Sequence, residues 1–412
     1  MRCIVNDDVV LSRPLEGPLS AYVGAFAASA REQGYSLNAQ HRRVLLAACF
    51  SRWLGRKAIS VQHVCVKHLT QYLRSRARHL RIHRGDAPAL SQFLEFLHRE
   101  GIIPAEKTSP CPLTPVEQTT REFETYLRNE RALAETTIAY YVLYTRRFLT
   151  DRFGKGRVVL SRLSAGDVVR FVQRQVPRLH QKRAKRLTTT LRSFLNYTRY
   201  RGDITSDLAT AVPCVAAWSM TSIPRDIPAD AVRQVLASID RRTPAGRRDY
   251  AVLLLLARLG LRASEVVLLE LDDIDWAAGE LHVRGKGGRR TALPLSAEVG
   301  RALVSYLRHG RPRSTSRRVF LRLKAPIRGF LHSAAITSLV AHTLARGGIN
   351  SPSKGAHQFR HALAVQMLRH GASLAEIGEV LRHRSPQTTT IYAKVDLEAL
   401  RPLALPWPGG VR

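Results

Sequence analysis

The sequence predicts a mainly helical protein with a small β-sheet in its C-terminal part. Apolar residues recur at helical spacing between Leu19 and Leu54, and a similar pattern starts again after a proline-rich segment, 104–115. Two short apolar runs, 281–284 and 291–295, flank a glycine-rich turn and predict a β-hairpin. We therefore expect helical domains first and a mixed α/β domain last.

The N-terminal part is expected to hold a tail and a helical domain. Residues 1–17 carry little pattern and predict a loose tail. Residues 18–103 carry helical periodicity and predict the first helical domain. Residues 104–115 contain Pro104, Pro110, Pro112 and Pro115, which is typical of a linker.

The helical pattern of 18–103 recurs in 116–213 at an offset of roughly 100 residues. Phe50 corresponds to Phe148, and Gly101 to Gly202. The correspondence predicts two copies of one four-helix unit. The alternative is that two unrelated small bundles match because helical apolar spacing is so common.

The second of these units is rich in basic residues. Rows of Arg and Lys on helices neutralise phosphates and give affinity that depends on salt and not on sequence. A solvated helix face is the alternative, but no acidic residue lies between Val169 and Arg201. We therefore expect a DNA-contacting row made of Arg170, Arg174, Arg178, Lys182, Arg183, Lys185, Arg186 and Arg192.

The third part begins after a second expected linker, 214–228, and spans 229–396. Besides the hairpin, 319–323 predicts a third strand. Ser373 and Glu376 predict a capping box, and Ser385-Pro386 predicts the start of a last helix. Helices are expected at 231–239, 249–259, 333–346, 356–369, 374–381 and 387–395.

The overall charge predicts a polyanionic partner. The chain of 412 residues has a formal net charge of +33 and a pI of about 11.1, so nucleic acid is the first expectation. A membrane surface is disfavoured because the basic residues are spread along the chain. No apolar run is long enough to span a bilayer, and we expect no signal peptide. The five cysteines form no C-x-x-C pair, which predicts reduced thiols in a cytoplasmic protein.

The third part also contains the residues that phosphodiester cleavage requires. Such chemistry needs a nucleophile, cationic donors for the non-bridging oxygens and an acid for the leaving oxygen. Judged alone, each candidate is more often structural: Lys286 as a solvated turn residue, Tyr392 as a packed helix aromatic. His357 and His361 have the i, i+4 spacing of a zinc pair, but Gln358 lies between them, so no metal site is expected. The candidates are Arg262, Lys286, His357, Arg360, His383 and the nucleophile Tyr392, with Glu265 expected to hold Arg262.

In order and spacing, these residues resemble the signature of the tyrosine recombinase (lambda-integrase-like) family: Arg, Lys, His-x-x-Arg, His/Trp, Tyr. The matching stretches are "LGLRASEV", "VRGKGGRRTALPL", "HQFRHALA", "LRHRSPQTTTIY" and "IYAKV". The resemblance covers about residues 115–405 and includes every catalytic position. One departure is Arg382, where the family usually has glycine.

The resemblance implies a SAM-like core-binding bundle at 116–213 and a catalytic domain at 229–396. The domain at 18–103, which the offset predicts to be a duplicate of the core-binding unit, has no counterpart in the simplest members of the family. It implies a site-specific recombinase or integrase, common in mobile elements, that forms a 3′-phosphotyrosyl bond without metal, ATP or another cofactor. It also implies a tetramer on double-stranded DNA, with 397–412 docking on a neighbouring protomer and possible accessory proteins.

Two alternatives remain open on the residues alone. A type IB topoisomerase uses the same chemistry to relax DNA, although the lysine hairpin and the extra helical unit fit recombinases better. A non-catalytic DNA-binding protein is the other alternative, which the intact set of six residues disfavours.

Overall fold

The computed structural model describes residues 3–6, 9–11, 14–104, 113–216, 227–285, 290–351 and 355–395. The chain divides into two compact units. One unit combines Met1–Ala105 with Ser222–Arg412, and the other is Glu106–Thr221. We describe each unit by itself.

The N-terminal part of the first unit is a helical bundle preceded by a β-hairpin. Strands β1 (Cys3–Asn6) and β2 (Val9–Leu11) pair antiparallel, so the expectation of a loose tail is wrong. The reason is apolar burial, since Val9 is 1% exposed and belongs to the core of the bundle. The helices are α1 (Val23–Glu32), α2 (Leu37–Arg56), α3 (Val66–Ala77) and α4 (Asp86–Arg99).

The unit Glu106–Thr221 is a second four-helix bundle with its own core. Thr114 with Glu117, and Ser164 with Asp167, form capping boxes at the starts of two helices. The helices are α5 (Pro115–Asn129), α6 (Glu135–Phe153), α7 (Ala165–Gln175) and α8 (Gln181–Tyr200).

The two bundles share features at the positions that the sequence pattern matched. Phe50 and Phe148 are both fully buried in their respective cores. Gly101 and Gly202 both follow the last helix of a bundle, with φ of +69° and +79°. Such values favour glycine, which lacks the Cβ that would clash. These shared features support the predicted duplication, which stays a prediction.

The C-terminal part packs helices around one apolar helix and adds a small sheet. It contains α9 (Ala229–Ala237), α10 (Pro244–Arg258), α11 (Ala263–Leu268), β3 (Ile274–Asp275), β4 (Glu280–Arg284), β5 (Arg290–Pro294), α12 (Ala297–His309), α13 (Ala334–Arg346), α14 (His357–Arg369) and α15 (Leu374–Val380). Residues 251–256, in the middle of α10, are fully buried. The mainly helical fold class with a small sheet is confirmed.

The antiparallel sheet has the order β3-β4-β5. The predicted hairpin is present, with Leu281 paired to Leu293 and Val283 to Thr291. The third strand is β3 and not 319–323, which forms only an isolated bridge between Leu321 and Gly329. Leu321 is fully buried, so the apolar run reflects core packing and not strand pairing.

The C-terminal helices match the sequence signals except at the end. Ser373 and Glu376 form the predicted capping box of α15, and Gly371 has a φ of +85° just after α14. The predicted helix at 387–395 is wrong, because the chain there forms two short 3-10 turns, Pro386–Thr388 and Thr390–Val395. No helix of the described residues is long and apolar enough to cross a membrane.

Candidate active site

Arg360, on α14, is one of the two almost completely buried residues among the predicted site residues that the structure describes. Its side chain is 1% exposed, and its guanidinium donates hydrogen bonds to the backbone carbonyls of Gly260 and Leu381. Burial, together with the charges of Arg262 and Arg382, lowers the pKa of Arg360 to about 9. The two carbonyls fix the plane of the guanidinium, and they tie α14 to the ends of α10 and α15.

Arg262 lies where the chain turns from α10 into α11. Gly260 makes the turn possible: its φ is +56°, and an added Cβ would lie 2.8 Å from Cδ2 of Leu381. Arg262 is the N-cap of α11, and its Nη1 donates to Oε1 of Glu265 at 2.7 Å. The predicted contact is therefore present. The side chain of Arg262 is 31% exposed, so an incoming anion can reach its guanidinium.

His383 follows the C-terminus of α15. The amide of His383 donates to the carbonyl of Gly378 at 2.9 Å, and that of Arg382 to the carbonyl of Glu379 at 2.8 Å. These are the two hydrogen bonds of a Schellman motif. The ring nitrogen Nδ1 of His383 lies 2.7 Å from Oγ1 of Thr389. Burial and the charge of Arg360 lower the pKa of His383 to about 4, so the imidazole is neutral at neutral pH.

Arg382 occupies the position at which a Schellman motif usually has glycine. Its φ is +54°, in the left-handed region. A non-glycine residue there costs about 1 kcal/mol or more. Glycine, which the resemblance leads us to expect at this position, would avoid this cost. The arginine side chain does not extend into solvent but folds back towards Glu265.

Tyr392 lies in the second 3-10 turn and is 1% exposed. Its hydroxyl oxygen lies 2.9 Å from Nδ1 of His361. Burial raises the pKa of Tyr392 to about 12, although the charges of Arg360 and Arg262 act in the opposite direction. A cationic cluster by itself lowers the pKa of a phenol, but the net shift of Tyr392 is upward. Desolvation of the phenolate outweighs the attraction of the two arginines.

His361 is a site residue that the sequence argument missed. It was considered only as half of a zinc pair with His357, yet its ring contacts the Tyr392 hydroxyl. Burial and the neighbouring charge of Arg360 lower the pKa of His361. The available signal was its place in the run His357-Gln358-Phe359-Arg360-His361, one residue after a predicted catalytic arginine.

Most of the predicted residues come together at the contact between α14, α15 and the 3-10 turns. The rings of His383 and Tyr392 are nearly parallel with centroids 6.5 Å apart, and those of His357 and His361 are 4.6 Å apart. His357 is exposed at the start of α14. Lys286, which follows β4 in the sequence, lies outside the described residues. No group of His, Cys, Asp or Glu within the described residues is arranged to hold a metal ion.

The basic row of the unit Glu106–Thr221 is less uniform than its sequence indicates. Arg170 pairs with Asp167 at 2.6 Å, and Arg174 pairs with Asp151 at 2.5 Å. Asp167 lies two residues before the window in which the sequence shows no acidic residue, and Asp151 lies on the preceding helix, α6, so the argument from missing partners is wrong for these two arginines. Arg192 donates to the backbone carbonyl of Val212 at 2.8 Å. The exposed remainder is Arg178, Lys182, Arg183, Lys185 and Arg186.

Comparisons with known proteins match this chain to sequence relatives and to solved structures. The sequence model described as the phage integrase family matches residues 225–398. A Sinorhizobium fredii (strain NBRC 101917 / NGR234) protein that carries the name integrase/recombinase y4rA is 55% identical over 409 residues, which are 99% of either chain. Tyrosine recombinase XerD of Listeria monocytogenes serotype 4b (strain F2365) is 30% identical over 281 residues, which are 66% of this chain and 93% of the relative.

Solved structures show the same fold. XerH site-specific recombinase bound to palindromic difH substrate has a TM-score of 0.56 at 18% identity, covering 77% of this chain and 94% of that one. A lambda integrase tetramer bound to a Holliday junction has a TM-score of 0.53 at 14% identity, and the match covers 76% of this chain and 88% of the integrase chain. The sequence relatives carry the assignment and the structures support its fold: this chain belongs to the phage integrase family of tyrosine recombinases, which are site-specific recombinases.

Proposed function

We propose that this recombinase cleaves and rejoins double-stranded DNA through a 3′-phosphotyrosyl intermediate on Tyr392. The observation that carries the proposal is the convergence of one tyrosine, two arginines and three histidines at one place. Both Arg262 and Arg360 are near enough for their charges to act on the phenol of Tyr392. No other tyrosine follows Tyr306 in the sequence.

The two arginines stabilise the charge that develops on phosphorus. In-line attack turns a singly charged phosphodiester into a phosphorane with an additional negative charge, which favours preorganised cations. Arg360 is fixed by two carbonyls, whereas Arg262 presents a partly exposed head. A guanidinium fork suits the paired non-bridging oxygens of a phosphate.

His383 donates a hydrogen bond to the phosphate as a neutral imidazole. Its pKa of about 4 leaves it uncharged at neutral pH. If Nδ1 accepts the Thr389 hydroxyl proton at 2.7 Å, the ring hydrogen is on Nε2. That tautomer directs one N–H away from Thr389 and towards a bound anion. The proposal thus assigns His383 a role that needs no protonation.

Tyr392 needs a proton acceptor, because a phenol with a pKa of about 12 is almost wholly protonated at neutral pH. His361, with a lowered pKa and Nδ1 2.9 Å from the phenol oxygen, can take that proton. His357, whose ring lies 4.6 Å from that of His361, assists proton transfer. Lys286 protonates the departing 5′-oxygen, in the role that the family resemblance implies.

The reaction conserves the phosphodiester bond energy in the covalent intermediate. The O–P bond to Tyr392 forms as the P–O5′ bond breaks, and the 5′-hydroxyl reverses the step on a new partner strand. No ATP hydrolysis and no metal ion are required by this exchange.

The partner and assembly are proposed from charge and from the named relatives. A net charge of +33 favours binding to a polyanion, and we propose that this partner is double-stranded DNA and that the protein acts on it in the cytoplasm. The matched lambda integrase is a tetramer on a Holliday junction, which supports a homo-tetramer on DNA for this chain. The proposed docking segment, 397–412, lies outside the described residues. The exposed cations of α8 are the proposed backbone contacts of the second helical unit.

A nicked suicide substrate tests the proposal. Cleavage next to the nick releases a short fragment and traps the protein on DNA, which denaturing electrophoresis detects as a shifted band. We expect such a band for the native chain and none for Tyr392→Phe. Salt-sensitive binding without the band would instead support a non-catalytic DNA-binding protein. Relaxation of a plasmid that lacks any recombination site would support a type IB topoisomerase.

A further inference from the structure

Arg382 is one departure from the family signature that the sequence resembles, and the structure gives its side chain specific partners. It lies in the left-handed position of the Schellman motif, between Leu381 and His383. Its side chain is 10% exposed. Arg382 has an unfavourable backbone conformation, and its long charged side chain points into the protein. The contacts of this side chain must therefore offset the cost.

The guanidinium of Arg382 shares Glu265 with Arg262. Nη2 of Arg382 donates to Oε2 of Glu265 at 2.9 Å, while Nη1 of Arg262 donates to Oε1 at 2.7 Å. Oε2 also accepts the backbone amide of Arg262 at 2.8 Å. Both oxygens of one buried carboxylate are therefore occupied, and two arginines share one negative charge.

Further contacts of Arg382 reach the backbone that positions Arg360. Its nitrogens lie 3.4 Å from the carbonyl oxygen of Leu259 and 3.5 Å from that of Gly260, which Arg360 also contacts. Its Nε is buried and has no hydrogen-bond partner in the described part of the chain. Arg382 thus connects the end of α15 to the turn that carries Arg262.

The charge balance of the cluster depends on this arginine. Arg262, Arg360 and Arg382 carry three positive charges and Glu265 carries one negative charge, which leaves two. Without Arg382, the charge of Glu265 would offset Arg262 alone, and only one positive charge would remain. A phosphorane with two negative charges is matched by the first arrangement and not by the second.

We propose that Arg382 is a positioning residue for phosphoryl transfer, which holds Glu265 and so leaves the charge of Arg262 available to the phosphate. The inference rests on the proposed phosphotyrosyl function. Arg382 does not itself touch DNA in this assignment; it acts through Glu265 and Arg262. The tight backbone turn that usually takes glycine thereby supplies an additional cation.

Three substitutions test the inference on the full chain. Arg382→Gln removes the charge, Arg382→Lys keeps it on the same backbone, and Arg382→Gly removes it while relieving the left-handed strain. The measurements are single-turnover adduct formation on the suicide substrate, DNA affinity and thermal unfolding. We expect Arg382→Gln and Arg382→Gly to slow adduct formation about 10- to 100-fold, with DNA affinity within about twofold of the native chain.

Arg382→Lys should retain adduct formation within about fivefold, because it keeps the charge near Glu265. The inference is overturned if Arg382→Gly or Arg382→Gln forms adduct at the native rate, or if Arg382→Lys loses as much as Arg382→Gln. Unfolding of Arg382→Gln at a much lower temperature leaves Arg382→Gly, whose backbone is relaxed, to decide the question. Failure of the native chain itself to form adduct would instead refute the proposed function.

Discussion

The hydroxyl oxygen of Tyr392 lies 2.9 Å from Nδ1 of His361, one residue beyond the buried Arg360. This contact places a basic group of lowered pKa against a phenol of raised pKa. Both shifts have burial as their largest cause, so the pair is neutral at neutral pH. In the structure, the side chain of Tyr392 is buried and its hydroxyl is protonated. The tyrosine can therefore react only if another group removes this proton.

We expect His361→Asn to slow adduct formation about 100-fold, because asparagine can accept the hydrogen bond but cannot take the proton. His361→Leu, which loses both functions, is the matched comparison and should be slower still. Single-turnover cleavage of the suicide substrate measures both. Equal rates for His361→Asn and the native chain would rule out His361 as the proton acceptor.

The same variant predicts a change in pH dependence. The pKa of His361 in the fold is below its ordinary 6.5, so the native cleavage rate should fall as acid protonates this ring. His361→Asn should lose this acid limb of the rate profile. Persistence of the limb in the variant would assign it to another group.

Tyr392→Phe should abolish the covalent adduct while leaving DNA affinity within about twofold, since only one buried hydroxyl is removed. Loss of its hydrogen bond to His361 should change the free energy of unfolding by only about 1 kcal/mol. Denaturing gels, binding titrations and urea unfolding measure the three quantities. An adduct that survives in Tyr392→Phe would show that another residue is the nucleophile.

Local sequence patterns predicted the contacts between residues that are close together in the sequence. The Ser373–Glu376 capping box and the Arg262–Glu265 pair each join residues three apart, and both are present. Their geometry follows from one turn of helix, which the residue types alone specify. The hairpin β4–β5 belongs to the same class of local prediction.

Properties that depend on tertiary packing could not be predicted from local sequence patterns. The raised pKa of Tyr392 reflects how completely the fold excludes water from the phenol, which residue order does not reveal. The role of His361 depends on its contact with Tyr392, which lies 31 positions further along the sequence. The run 319–323 has the apolar content of a strand, but Val319, Phe320 and Leu321 are buried by tertiary packing, and the run forms one isolated bridge and no ladder.

Stability should fall on mild acidification because two histidines are neutral in the fold. The pKa of His383 is about 4 in the fold and 6.5 ordinarily, and that of His361 is also lowered. Between these two pKa values the unfolded state binds more protons than the folded state. The contribution of the neutral His383 to the free energy of unfolding is therefore complete above pH 6.5 and is lost as the pH falls towards about 4. From about pH 7 to 5 we expect a loss of about 1 kcal/mol from His383, allowing for its partial solvent screening.

Urea unfolding at the two pH values, for the native chain and His383→Asn, measures this contribution. Between pH 7 and 5 the variant should lose less stability than the native chain. It lacks the imidazole that, over this interval, becomes protonated in the unfolded state and stays neutral in the folded state. An identical pH dependence for both proteins would contradict the lowered pKa of His383.

The exposed lysines of α8 should determine how strongly salt weakens DNA binding. Lys182 and Lys185 are exposed, whereas Arg170 forms an ion pair at 2.6 Å with Asp167, a carboxylate that it shares with Arg152. Each phosphate contact contributes about 0.9 to the slope of log affinity against log salt, so Lys182→Ala/Lys185→Ala should reduce that slope by about 1.8. Arg170→Gln is the matched control and should change the slope less than either lysine does. Titrations of a DNA duplex at several salt concentrations measure both slopes. An unchanged slope in the lysine variant would remove Lys182 and Lys185 from the DNA-contacting surface, and an equal reduction in Arg170→Gln would show that the pairing with Asp167 does not keep Arg170 from a phosphate.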